Sequence, residues 1–113
     1  MNETLIQKQS RFTGMIAKLI QKAQNMGYLL TFGEAWRTPE QAKLNLKNGI
    51  GIKDSLHIQR LAVDFNLYDK NGVWLKTSTE HAPLGVYWES LGGSWGGRFG
   101  DGNHYSLEHN NLK

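Results

Sequence analysis

Between Leu61 and Tyr68 the chain alternates with a period of two. Leu61, Val63, Phe65 and Leu67 fall on one side, and Ala62, Asp64 and Asn66 on the other. Successive side chains of an extended chain point to opposite faces, so this pattern predicts a strand with one face against a core. It also fixes the direction of Asp64, away from the apolar set. A shorter run, His104-Tyr105-Ser106-Leu107, repeats the arrangement, with Tyr105 and Leu107 as core residues and His104 and Ser106 opposite them. If both strands share a sheet and turn their apolar sets to one core, Asp64 and His104 lie on one surface.

The other elements follow from spacing and punctuation. Residues 4–26 predict an amphipathic helix, because Leu5, Phe12, Met15, Ile16, Leu19, Ile20, Ala23 and Met26 recur at helical intervals before Asn25 and Gly27 end it. Tyr28–Phe32 predicts a strand. Thr38 caps a short helix with Pro39 at its first position and Gln41 three residues after the cap; it runs to about Lys47 and stops at Asn48-Gly49. Asp69-Lys70-Asn71-Gly72 reads as the turn of a hairpin into Val73-Trp74-Leu75. A further helix is expected over Glu80–Leu91, with Leu84, Tyr87, Trp88 and Leu91 on its core face. This order predicts an α+β fold: a small antiparallel sheet with helices packed on one side and the polar, Asp64-bearing surface on the other. A length of 113 residues suits a single domain, 1–113.

Composition limits the chemistry of that surface. The chain has no cysteine, so any metal must sit on His, Asp or Glu. His57 precedes the strand, where a loop can fold it back towards Asp64 and His104. Two neutral imidazoles and one carboxylate suit divalent zinc with a fourth position for water, whose pKa then falls from about 16 towards about 7. Peptide hydrolysis needs a further carboxylate to take the water's proton and deliver it to the leaving amine. Asp101, three residues before His104 in a Gly-containing turn, is placed for that. From spacing alone, Asp64 and Asp101 could exchange the roles of ligand and base. Arg37, between a strand-like segment and the cap at Thr38, could polarise a scissile carbonyl or hold a substrate carboxylate.

Each of these residues also has a plainer reading. Asp101 beside Gly102 is ordinary turn chemistry, and Arg37 could be a surface residue stacked on Trp36. Ser55 could bond a ligand or cap a turn, but no Ser-His-Asp arrangement surrounds it. His81, near Pro83 at a helix start, and His109, in the polar tail, are read as structural or surface residues. The stretch Gly92–Gly97 lacks the Lys-Ser or Lys-Thr of a phosphate loop. Its glycines are expected to let the backbone turn sharply, with Trp95 packing under or beside the site.

Other function classes are disfavoured. The formal charge of +3 is spread along the chain, which favours anionic surfaces, bacterial wall polymers among them, without choosing one. No basic-aromatic cluster supports nucleic-acid binding, and no apolar run approaches the roughly 18 residues of a membrane span. The N-terminus lacks a basic start followed by an apolar run, so the expected product is soluble and made in the cytoplasm, reaching an extracellular target by another exit route.

SLHIQRLAVDF followed by LGGSWGGRFGDGNHY resembles the zinc peptidases that include D-alanyl-D-alanine carboxypeptidases, D-alanyl-D-alanine dipeptidases and phage L-alanyl-D-glutamate endolysins. The shared pattern is Ser-x-His-x6-Asp, then Trp-Gly-Gly, then an acidic residue three before a final His, and it covers roughly residues 34–107. The resemblance implies that His57, Asp64 and His104 bind Zn2+ on the face opposite the helices and that Asp101 is the catalytic acid/base. AWRTPEQA resembles the family's Arg-containing stretch, which implies that Arg37 stabilises the developing oxyanion. Arg60 departs from the pattern, standing where many relatives carry Gly. Asp101, in place of the Glu of the dipeptidases, leans towards the endolysin-like branch, as does the small size. The expectation is a monomeric zinc metallopeptidase acting on the peptidoglycan stem peptide, an L-alanyl-D-glutamate endopeptidase serving as a phage endolysin. A D-alanyl-D-alanine carboxypeptidase and a non-catalytic wall-binding module are the alternatives.

Overall fold

A computed structural model describes residues 3–49 and 55–113. Its elements run α1 (Leu5–Asn25), β1 (Leu29–Phe32), α2 (Pro39–Lys47), β2 (Ala62–Tyr68), α3 (Ser78–Ser90), β3 (Ser94–Trp95), a 3₁₀ turn (Gly96–Phe99) and β4 (His104–Ser106). The four strands form a sheet in the order β1-β2-β4-β3, each neighbouring pair antiparallel. The fold is α+β, as the pattern of elements predicts.

Helix α1 begins where Thr4 and Gln7 satisfy each other's backbone N–H groups in a reciprocal cap. It buries Phe12, Met15, Leu19 and Ala23, one stripe at helical spacing, against α3 and β1. Leu5 and Met26, expected on that stripe, are exposed because the helix overruns the core at both ends. Helix α3 starts two residues earlier than its spacing predicts. Thr77 caps it and Glu80 completes a second reciprocal box, which places Pro83 inside the helix on the exposed side. Leu84 and Trp88 are buried, while Tyr87 and Leu91 pack at the edge of the core. Helix α2 has the expected Thr38 cap and Pro39, yet only Ala42 is buried in it and it stands outside the main core.

The core fills the space between α1, α3 and one face of the sheet. Val63, Phe65 and Leu67 of β2 point into it, joined by Leu56, Leu61, Tyr105 and Leu107. Phe12 meets Trp88 edge-on with ring centroids 5.7 Å apart, and each fully buried aliphatic or aromatic side chain contributes about 1.5–3 kcal/mol. The Trp88 indole N–H donates to the Ser106 carbonyl at 2.9 Å, so the largest core side chain carries no orphaned donor.

The expected hairpin after β2 forms, with a bridge between Tyr68 and Trp74 flanked by the Asp69 N–H to Val73 carbonyl and Leu75 N–H to Leu67 carbonyl bonds, and the Asp69 carboxylate holds Asn71 and Val73 in its turn. Two expectations are corrected. Ser106, placed on a polar face, is fully buried, with its hydroxyl directed at the Ser94 carbonyl of β3 (3.4 Å). The stretch Gly92–Gly97 is more than a turn. Gly92 supplies the reversal with φ +95°, but Ser94 and Trp95 form a strand, and the glycines after them make room for close packing.

Candidate metal centre

Asp64 and His104 are direct cross-strand partners in the register of β2 and β4. Residues so paired carry their Cβ atoms on the same face about 4.5–5.5 Å apart, so the shared surface expected from alternation is realised. The His104 Nδ1 stands 3.2 Å from Asp64 Oδ1. His57 arrives from the turn before β2. The Ser55 hydroxyl accepts from the His57 backbone N–H at 3.2 Å, and buried Leu56 and Leu61 anchor the turn on either side. Arg60 closes it with φ +56°. That is a left-handed conformation favouring glycine, which accounts for the glycine of many relatives and makes Arg60 the costlier residue at this position. The Arg60 guanidinium lies 4.4 Å from the centre of the Trp36 ring. It is therefore Arg60, and not Arg37, that stacks on Trp36.

The turn places His57 Nε2 3.3 Å from the same Asp64 Oδ1. One ligand atom each from His57, Asp64 and His104 lie within 4.8 Å of one another, and both imidazoles are buried. This donor set of two nitrogens and one carboxylate oxygen is the chemistry zinc selects. Two observations add to the fit. Burial by itself would raise the Asp64 pKa, but hydrogen bonds from His104 and His57 outweigh it and take it to about 2, so an anionic donor is ready at neutral pH. His57 Nδ1 and His104 Nε2, the nitrogens turned away from Asp64 Oδ1, are buried without hydrogen-bond partners among the described residues, and a neutral imidazole that carries its proton there keeps the other nitrogen free to bind a metal.

These three residues line a cavity of about 290 Å3 together with Arg37, Ser55, Phe99, Asp101 and Lys113. The Asp101 residue stands exposed at its rim. Loss of hydration at its carboxyl raises its pKa above the ordinary carboxylate value, and the nearby Asp64 charge adds to this against the pull of His104 and His57. Several hydrogen bonds hold the turn carrying Asp101. Its N–H donates to the Gly96 carbonyl at 2.9 Å, the Trp95 indole N–H donates to the Gly102 carbonyl at 2.7 Å, and the Gly102 N–H donates to the Ser78 hydroxyl at 3.0 Å. Trp95 thus packs beneath the site, as expected.

A sequence model of the family described as D-alanyl-D-alanine carboxypeptidase matches residues 50–107, just over half of the chain. The chain belongs to this family. Membership makes the chain a peptidoglycan peptidase by class. The fold is shared with the crystal structure of an L-Ala D-Glu endopeptidase from Serratia marcescens, at a TM-score of 0.65 and 21% identity over 81% of this chain and 77% of that one. No curated protein sequence matches it.

In this peptidase the residues singled out in the sequence converge with few exceptions. Arg37 reaches the cavity wall, its side chain mostly buried and its guanidinium bonded to the Glu34 carboxylate. His81 is fully buried away from the cavity, with Nδ1 2.8 Å from the Tyr105 hydroxyl, and His109 meets Lys8 near the C-terminus, so both are structural. Sequence reasoning missed Glu34, whose Oε1 lies 3.6 Å from His57 Nδ1. No local pattern marks it: Glu34 reaches His57 only because the segment after β1 is hydrogen-bonded beside β2.

Proposed function

We propose that the protein is a zinc endopeptidase that hydrolyses the L-alanyl-D-glutamate bond of the peptidoglycan stem peptide, acting as a phage lytic enzyme. The observation carrying this reading is the convergence of His57, Asp64 and His104 in one cavity with a carboxylate of raised pKa, Asp101, and a guanidinium, Arg37. His57 Nε2, Asp64 Oδ1 and His104 Nδ1 are the atoms that would hold the metal. When bound, zinc supplies Lewis acidity that polarises a carbonyl and acidifies water.

The chain's own groups do the rest. Asp101 accepts the proton of the attacking water and returns it to the leaving nitrogen, and its raised pKa makes it a stronger base for that exchange than an ordinary carboxylate. Arg37 donates to the carbonyl oxygen as negative charge builds on it. Its bond to Glu34 holds the guanidinium in place before substrate arrives.

Support for the bond comes from the activity printed for the Serratia relative and from aspartate, in place of glutamate, at position 101. The description of the matching family favours a second reading, a D-alanyl-D-alanine carboxypeptidase in which Arg37 grips the terminal carboxylate. Mass spectrometry of purified peptidoglycan fragments after digestion, with and without a chelator, separates them. New N-terminal D-glutamate that disappears with chelator is expected, and released D-alanine would favour the carboxypeptidase. Binding to wall fragments without either product would sink both in favour of a wall-binding module. As a phage lytic enzyme it would reach its substrate at lysis or as a virion component.

A further inference from the structure

We propose that Glu34 is a positioning residue that sets the tautomer and orientation of His57 and, through the same carboxylate oxygen, aims Arg37. This rests on the metal-centre reading above. Glu34 sits at a crossing of contacts. Its backbone carbonyl accepts from the Asp64 N–H at 2.8 Å, and the neighbouring Gly33 N–H donates to the Asp64 carbonyl at 2.8 Å. Three residues on, the Arg37 N–H is directed at the His57 carbonyl (3.4 Å). The segment from Gly33 to Arg37 is therefore tied through its backbone to two of the three candidate ligands, and the root of the Glu34 side chain is fixed relative to both.

From that root, Oε1 bonds the Arg37 guanidinium and stands 3.6 Å from His57 Nδ1. Nδ1 is buried and has no other partner among the described residues, so Glu34 is the acceptor within reach. A closure of about 0.7 Å makes an ordinary N–H···O bond. The consequence for His57 is specific. Nε2 faces Asp64 Oδ1 at 3.3 Å, and a neutral imidazole carries one proton to place on either nitrogen. A proton on Nε2 bonds Asp64 and blocks the nitrogen that faces the cluster. A proton on Nδ1 bonds Glu34 and leaves the Nε2 lone pair free. Glu34 thus opposes Asp64 for the imidazole proton and selects the tautomer able to bind a metal, as outer carboxylates do for ligating histidines.

Arg37 alone would give Glu34 a simpler task, that of a counter-ion, and measurements on metal-loaded and metal-free protein tell the two apart. Zinc affinity by competition with a chromophoric chelator should fall roughly tenfold to a hundredfold in Glu34→Ala. Glu34→Gln should recover most of it, since the amide oxygen still accepts from Nδ1. Arg37→Ala should stay within about threefold of the parent, because the carboxylate remains. In metal-free protein, the ring 15N shifts of His57 should move from the Nδ1–H towards the Nε2–H pattern in Glu34→Ala. Unchanged affinity and unchanged tautomer in Glu34→Ala would overturn the proposal. So would an Arg37→Ala loss matching that of Glu34→Ala, or no recovery in Glu34→Gln. His57→Ala guards the underlying reading: if it retains parental zinc affinity, the metal centre itself is misassigned, whereas a loss there with no effect at Glu34 removes only the positioning role.

Discussion

Gly96 offers a sharp test of how the site is built. A Cβ at this buried position would lie 2.3 Å from the Asp101 carbonyl oxygen and 2.7 Å from the His104 Cβ. Carbon atoms pack best at about 3.5–4.0 Å, so Gly96→Ala demands that His104 retreat by about 0.8 Å and the Asp101 carbonyl by more. Neither obstacle is the free end of a flexible side chain. One is backbone and the other is the first atom of a candidate ligand, so no rotamer change relieves the clash. The overpacking should cost about 2–3 kcal/mol, on the order of 10 °C in melting temperature for a chain of this length. Zinc affinity should fall at least tenfold, because about 0.8 Å is a large displacement for a metal ligand. Gly92→Ala is the matched control. Nothing lies within 4 Å of its Cβ, but φ is +95°. It should lose about 1–2 kcal/mol through backbone strain while binding zinc like the parent. Thermal unfolding monitored by circular dichroism and chelator competition read both quantities. A Gly96→Ala variant with parental melting temperature and affinity would refute the close-approach argument, and equal affinity losses in the two variants would assign the effect to stability alone.

Two further outcomes are expected. Asp101→Ala should bind zinc within about threefold of the parent yet lose roughly 10²–10⁴ in turnover of muropeptide substrate; undiminished cleavage measured by chromatography would remove Asp101 from the mechanism. Burial lowers the His81 pKa below its ordinary 6.5, so on acidification the unfolded chain takes up a proton at this residue before the folded one does. Stability from this group is complete above about pH 6.5 and is lost below it, down to the folded pKa, no more steeply than about 1.4 kcal/mol per pH unit. In chelator-treated protein, melting temperatures between pH 7.5 and 5.5 should fall less for His81→Gln, which can still bond the Tyr105 hydroxyl, than for the parent; parallel curves would argue against it.

Much of the molecule was legible because a few segments carry strong periodicity. The Leu61–Tyr68 alternation located β2 and the direction of Asp64, and the caps at Thr38 and Pro39 located α2. The start of α3 was also written in the chain, as Thr77 and Glu80 at capping-box spacing, but Pro83 and His81 drew attention to a later start. Strand β3 was hidden because two residues, Ser94 and Trp95, are too short for a period to register. The inward packing of Ser106 was invisible for a related reason: only β3, lying beside β4, supplies its acceptor. At the site, His57, Asp64 and His104 could be grouped from strand geometry and chemistry. Glu34 could not, since its contact with His57 depends on a backbone path between β1 and β2 that no local pattern specifies. That Arg60 covers Trp36 was hidden for a similar reason: it follows from a left-handed residue in a turn, a feature without periodicity.

Asp64 and His104 occupy a single rung of the β2–β4 ladder. A pairing error of one residue would set Val63 or Phe65 opposite His104 and reverse every side chain of the slipped strand. The helices and the strand content could survive such an error, so spectroscopy of secondary structure would not detect it. The cluster could not survive it, because its two halves would face opposite sides of the sheet. Capacity to hold a metal is therefore a report on strand alignment, and loss of binding in a compact, helical variant would point to a shifted ladder before it pointed to a damaged ligand.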